Sequence, residues 1–123
     1  MTTPTAPDPT SFLPLTNLAF HTLVALAEED RHGYAIIKDI EDRTEGQLAV
    51  RSGALYTVIQ RLLEAGLVDH APLPDERGAR DTRRKYYRIT PLGREVAAAE
   101  GVRLSRMVEA ASRRHLLPER ETR

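Results

Sequence analysis

The residues of this chain best equipped for chemistry are cations. Between Arg77 and Arg88 stand Arg77, Arg80, Arg83, Arg84, Lys85 and Arg88, with Asp81 as the one acid among them. Guanidinium and ammonium groups at that density neutralise phosphates or carboxylates. The field at a contact surface follows such local clustering rather than the net total. Here the total is silent, because 18 Lys and Arg balance 18 Asp and Glu. The acids lie apart, in Glu28-Glu29-Asp30, from Asp39 to Glu45, and in the C-terminal third. A basic run alone is more often a solvated surface than a nucleic-acid site, so its place in the fold must decide.

Other chemistries lack their residues. His21, His32, His70 and His115 are far apart and have no companion carboxylates or thiols at ligand spacing, so no metal site is expected. No nucleophile elbow, nucleophile–base pair or phosphate-binding glycine loop occurs. Neither an enzyme nor a cofactor is expected. With no cysteine there is no disulfide framework, which suits a reducing compartment. No apolar run approaches the ~18 residues of a membrane span. The start, MTTPTAPDPTSF, lacks a basic head and an apolar stretch. A cytoplasmic protein with no membrane partner is the expectation.

The elements that must carry the cations follow from periodicity. Residues 1–14, with four prolines among Thr, Ala and Asp, read as a disordered N-terminal arm. Thr16 caps a first helix in which Leu18, Thr22, Leu23 and Leu26 recur at helical spacing. After a turn through Glu29–Gly33, a second helix runs to about Thr44, expected to bury Tyr34, Ile37 and Ile40, with Gly46 as its stop. Ser52 is read as the N-cap of a third helix whose buried stripe is Leu55, Ile59, Leu62 and Leu63, ended by Gly66. Leu67–Ala71 and Lys85–Ile89 alternate as two strands around a polar tip, Pro72–Arg84. Thr90-Pro91, a capping hydroxyl before a proline, opens a long helix towards His115. Gly101 interrupts it at a cost of about 1 kcal/mol relative to alanine.

The expected architecture is mainly α with a small two-stranded β-wing: a winged helix-turn-helix over 15–90, a dimerisation helix over 91–117 and a flexible tail over 118–123. In that arrangement the third helix stands exposed beside the basic hairpin. A helix fits the DNA major groove, and flanking cations reach its backbone. The contact candidates are Arg51, Ser52, Gly53, Ala54, Tyr56, Thr57, Gln60 and Arg61 on the helix, and Arg80, Arg83, Arg84, Lys85 and Tyr87 on the hairpin. Tyr56 sits beside the buried stripe, where packing and a hydroxyl contact weigh about equally. Tyr86 and Tyr87 alternate, so one faces the core and one faces out, with the choice open. On the long helix, Leu92, Val96, Ala99, Arg103, Met107 and Ala111 trace one side, and Leu104 and Val108 flank it. A domain this small cannot cover both, so a second copy is expected there, and a two-fold dimer suits palindromic half-sites. The leading expectation is a homodimeric repressor that binds double-stranded DNA near its own or adjacent genes. The alternative is a winged-helix module whose basic tip takes an acidic protein.

Four stretches carry a resemblance: His32-Gly33-Tyr34-Ala35-Ile36-Ile37-Lys38, Ser52-Gly53-Ala54-Leu55-Tyr56, Arg61 to Val68, and Arg83-Arg84-Lys85-Tyr86-Tyr87-Arg88-Ile89-Thr90. In this order and spacing the chain resembles the PadR family of bacterial regulators from about Leu15 to Gly93. The resemblance implies a winged-helix DNA-binding domain, a C-terminal dimerisation helix of the short, single-helix subtype, and repression usually relieved by a small-molecule effector. It suggests a phosphate hydrogen bond for Tyr56. Two departures stand out. Ser52-Gly53-Ala54 replaces the frequent Pro-Gly-Thr, so operator preference does not carry over. No tryptophan is present, so members that stack aromatic drugs between indoles are no guide to the ligand.

Overall fold

The structure, a computed structural model, describes residues 7–73 and 84–118. A single 3-10 turn, Pro9–Phe12, leads into helix α1, Asn17–Glu28, strand β1, Arg31–His32, and helix α2, Gly33–Arg43. Helix α3, Ser52–Glu64, follows, then strands β2, Val68–Ala71, and β3, Tyr86–Ile89, and finally helix α4, Pro91–Arg113. The strands form one antiparallel sheet in the order β1-β3-β2, with Val68 opposite Ile89, Ala71 opposite Tyr86 and His32 also opposite Tyr86.

Local chemistry sets most of the boundaries. The Thr16 and Thr90 side chains accept from the amides of Ala19 and Gly93, capping α1 and α4 as their sequences predict. Gly46 and Gly66 both adopt positive φ just beyond the ends of α2 and α3. There Gly46 N donates to Glu41 O and Leu67 N to Leu62 O, closing both helices with carbonyls satisfied. Leu23, Leu26, Ile36, Ile40, Leu55, Ile59, Leu67, Val68 and Val96 are fully buried in one core. Among the described residues, no buried side-chain polar atom lacks a partner.

The fold departs from the sequence reading in five places. First, residues 7–14 are ordered, although this stretch reads as arm. The Asp8 carboxylate accepts from Thr10 N at 2.9 Å, Phe12, Leu13 and Leu15 pack against the core, and Leu15 N donates to Glu100 Oε2 at 2.7 Å. Three apolar side chains among the prolines supply what the composition hides. Residues 1–6 lie outside the described residues. Second, the sheet has three strands rather than two, because Arg31-His32 pairs with β3 where a turn was expected. Third, Tyr34 is 65% exposed; α2 buries Ile36 and Ile40, which turns Tyr34 to the opposite side. Fourth, Arg51 occupies the N-cap of α3, Ser52 is already helical, and no side chain caps that end. Fifth, Val96, expected at the dimer seam, is fully buried in its own domain.

The α3–α4 junction explains one glycine. A Cβ on Gly93 would stand 2.1 Å from the Leu67 carbonyl oxygen. That carbonyl accepts from Thr90 N at 3.0 Å, while the Thr90 hydroxyl donates to Gly66 O at 2.7 Å. The first turn of α4 therefore lies flush on the segment between α3 and β2.

Candidate nucleic-acid interface

Burying Leu55, Ile59 and Leu62 leaves the rest of α3 outward. Arg51, Ser52, Gly53, Ala54, Tyr56, Thr57, Gln60 and Arg61 are all exposed, as the sequence predicts. The α3 N-terminus lacks a side-chain cap, so its first-turn amides face outward and suit an external acceptor. Arg84 and Lys85, just before β3, are exposed as well. Between α3 and the base of the hairpin runs a groove of about 600 Å³, walled by Tyr34, Tyr56 and Gln60 on one side and His70, Arg84 and Lys85 on the other.

The start of α2 closes one end of this groove. A Cβ at Gly33 would lie 2.5 Å from the Tyr56 hydroxyl oxygen, so the phenol rests directly on the first residue of α2. The absence of a side chain at Gly33 makes the seat. It holds the Tyr56 hydroxyl beside the positive end of a helix dipole. His32 caps α2 by accepting from Ala35 N through Nδ1 at 3.1 Å, and its Nε2 lies 2.6 Å from Arg84 Nη1. Its ring stacks on Tyr34 with centroids 6.3 Å apart and meets Tyr86 edge-on at 5.2 Å. Two phenols, a helix N-terminus and two cations thus share one face. Together they can hold a polyanionic ridge.

Tyr87 touches that groove only from its floor. It is 4% exposed, inside the core behind Tyr56, while Tyr86 is the half-buried partner of His32. Burial, with Tyr56 close by, pushes the Tyr87 phenol above its usual range. The alternation was legible, and its phase is set by the core: Tyr87 shares the inward side of β3 with Ile89, while Arg88 faces out. Arg88 pairs with Asp30 at 3.1 Å, fixing β3 to the segment after α1. Arg77, Arg80 and Arg83 lie outside the described residues.

On α4, Leu92 packs against the core and Arg103 is held by Glu100, with its Nη1 3.3 Å from Met107 Sδ. Glu100 is buried, accepting from Leu15 N and from both ends of the Arg103 fork. The Arg103 hydrogen bond, working against burial, holds its carboxyl below the ordinary carboxylate range. Val102, Met107 and Val108 are each more than half exposed; Ala99, Leu104 and Ala111 are partly buried. Sequence reasoning passed over Glu100, His32 and Tyr34. A usable signal existed for Tyr34, since placing Ile36 and Ile40 inward puts it outward.

Residues 22–99 match the family described as transcriptional regulator PadR-like. The chain belongs to the PadR-like family of transcriptional regulators. It is 36% identical over 71 residues to uncharacterized protein X of Lysinibacillus sphaericus, a match covering 56% of this chain and 61% of that relative's length. Among solved structures, it resembles a transcriptional regulator from Clostridium thermocellum with a TM-score of 0.66 and 26% identity, covering 78% of this chain and 87% of that one. It is equally similar to the complex structure of hsRosR-S4, with a TM-score of 0.66 and 29% identity over 88% of each chain; RosR is from H. salinarum. The PadR-like match runs from the middle of α1 to the first part of α4, and so contains every described residue of the candidate face. No helix is long and apolar enough to cross a membrane among the described residues.

Proposed function

We propose that this PadR-like protein is a cytoplasmic, homodimeric repressor that binds a specific double-stranded DNA operator near its own or adjacent genes. The observation that carries the reading is the shared groove, with the exposed side of α3 on one wall and Arg84 and Lys85 on the other. α3 enters the major groove, while Tyr56, the α2 N-terminus and the hairpin cations hold flanking phosphates. A small-molecule effector acts by favouring one spacing of the two recognition helices.

The C-terminal half of α4 supports the dimer. From Ser105 to Ala110 every residue is exposed, and Val102, Met107 and Val108 present apolar side chains to solvent. Half a helix without packing is marginal in water, so this segment gains its stability from a second copy. The seam is carried by Leu104, Met107, Val108 and Ala111, not by Val96.

The test is titration of a labelled duplex carrying the upstream intergenic DNA, at several salt concentrations. The wild type should bind with affinity that falls steeply with salt. Replacing Arg84 and Lys85 by alanine should weaken binding and flatten the log–log salt slope by about one unit per lost phosphate contact. Unchanged affinity and slope would reject the hairpin assignment.

A further inference from the structure

The outward side of α3 narrows what kind of base it can read, granted that it enters a major groove as proposed above. Gly53, Thr57, Gln60, Arg61 and Glu64 recur at helical spacing on the side opposite Leu55, Ile59 and Leu62. The Thr57 hydroxyl donates to Gly53 O at 3.0 Å, so its proton is already used and its methyl is left to face a ligand. Ala54 offers only a methyl. Arg61 suits a phosphate as well as a guanine, and Glu64 repels backbone phosphates, favouring entry by the N-terminal turns. Gln60 is the neutral amide on this side, with both a donor and an acceptor. Among the described residues nothing hydrogen-bonds to it, and it is exposed to the groove.

Gly53 supplies the second observation. Glycine costs helix stability relative to alanine. Yet Gly53 has no positive φ, and a Cβ there would meet nothing within 4 Å. Gly33 and Gly93 are required by close neighbours, and Gly46 and Gly66 by their backbone conformation. Gly101 is equally open, so this space is permissive rather than required: among the described residues nothing crowds position 53, and the first turn of α3 is left bare for a surface that approaches closely.

We propose that Gln60 reads an adenine in the major groove of each half-site, and that the bare first turn at Gly53 lets α3 sit deep enough for it to reach. A glutamine amide matches adenine N6 and N7 as a two-point pair, whereas glutamate accepts from cytosine N4.

Selection from randomised duplexes with the wild type, Gln60→Ala and Gln60→Glu tests this. The wild type should enrich adenine at one fixed position per half-site. Gln60→Ala should lose that preference, on the order of tenfold, while keeping the rest of the motif. Gln60→Glu should move the preference to cytosine. Gly53→Ala should melt no lower than wild type and bind the selected duplex several-fold more weakly. A wild-type motif that both Gln60 variants preserve would overturn the inference and leave DNA binding intact. Tight binding by Gly53→Ala would overturn the depth of docking it requires. A wild type that enriches no motif would overturn the specific-operator reading, and this inference with it.

Discussion

Tyr56 draws its importance from its seat. Its ring rests on Gly33, where any β-carbon would collide with the phenol, and the residue as a whole stays half exposed, with its hydroxyl at the start of α2. Removing that hydroxyl alone should separate contact from packing. Tyr56→Phe is expected to unfold within about 0.5 kcal/mol of wild type, because the ring keeps its neighbours. Its duplex affinity should fall about tenfold, the lower end for a hydrogen bond to a charged group. Equal affinity in an anisotropy titration would return Tyr56 to a packing role. At this scale the sequence was partly legible. Tyr56, Gln60 and Arg61 fall outward from periodicity alone, whereas Tyr34 was expected inward and the choice between Tyr86 and Tyr87 stayed open. Each depends on the phase of a whole element rather than on one residue: Ile36 and Ile40 take the inward side of α2, and Tyr87 shares the inward side of β3 with Ile89.

Among the elements, α4 is positioned at two points, and each yields a prediction. The first is Gly93, flush against the Leu67 carbonyl. Alanine there gains helix propensity of about 1 kcal/mol. It also drives a methyl into backbone that anchors Thr90, so Gly93→Ala should destabilise by about 2–3 kcal/mol in chemical denaturation. The second is Glu100, whose carboxylate ties Leu15 and Arg103 to the middle of α4. Its pKa is lowered in the folded state from the ordinary 4.5. A depressed carboxyl contributes stability that is full above the unfolded value and is lost as pH falls through the folded one. Stability should therefore drop on acidification below pH 4.5, and Glu100→Gln should show a shallower drop over that window from a lower starting point. Identical acid profiles for the two proteins would contradict the role given to this carboxylate. The α4 start was legible, since Thr90-Pro91 is a local signal. Glu100 was not, because its partner Leu15 is distant in sequence and belongs to a segment that reads as disordered by composition.

For the whole molecule, the two prominent surfaces are the groove beside α3 and the exposed far half of α4. Order and type of its α-helices were readable because caps and stripes are local, while the third strand needed tertiary pairing to exist at all. The groove lies on α3 and the apolar surface on the far half of α4, so the DNA contact and the dimer seam proposed above occupy different parts of the chain. Charge at the seam should separate them. Leu104→Glu with Val108→Glu is expected to leave the domain folded but monomeric in sedimentation, with duplex affinity reduced at least tenfold through loss of the second half-site. A double variant that still sediments as a dimer would place the seam elsewhere.

The central claim is that a duplex docks on one defined face. Amide and side-chain NMR shifts, followed as duplex DNA is added to the wild-type protein, address it directly. The account predicts perturbations gathered on Arg51–Arg61, the start of α2, and Arg84 and Lys85, with α1 little changed. Perturbations concentrated on α1 or the buried side of α4, with α3 silent, would contradict it.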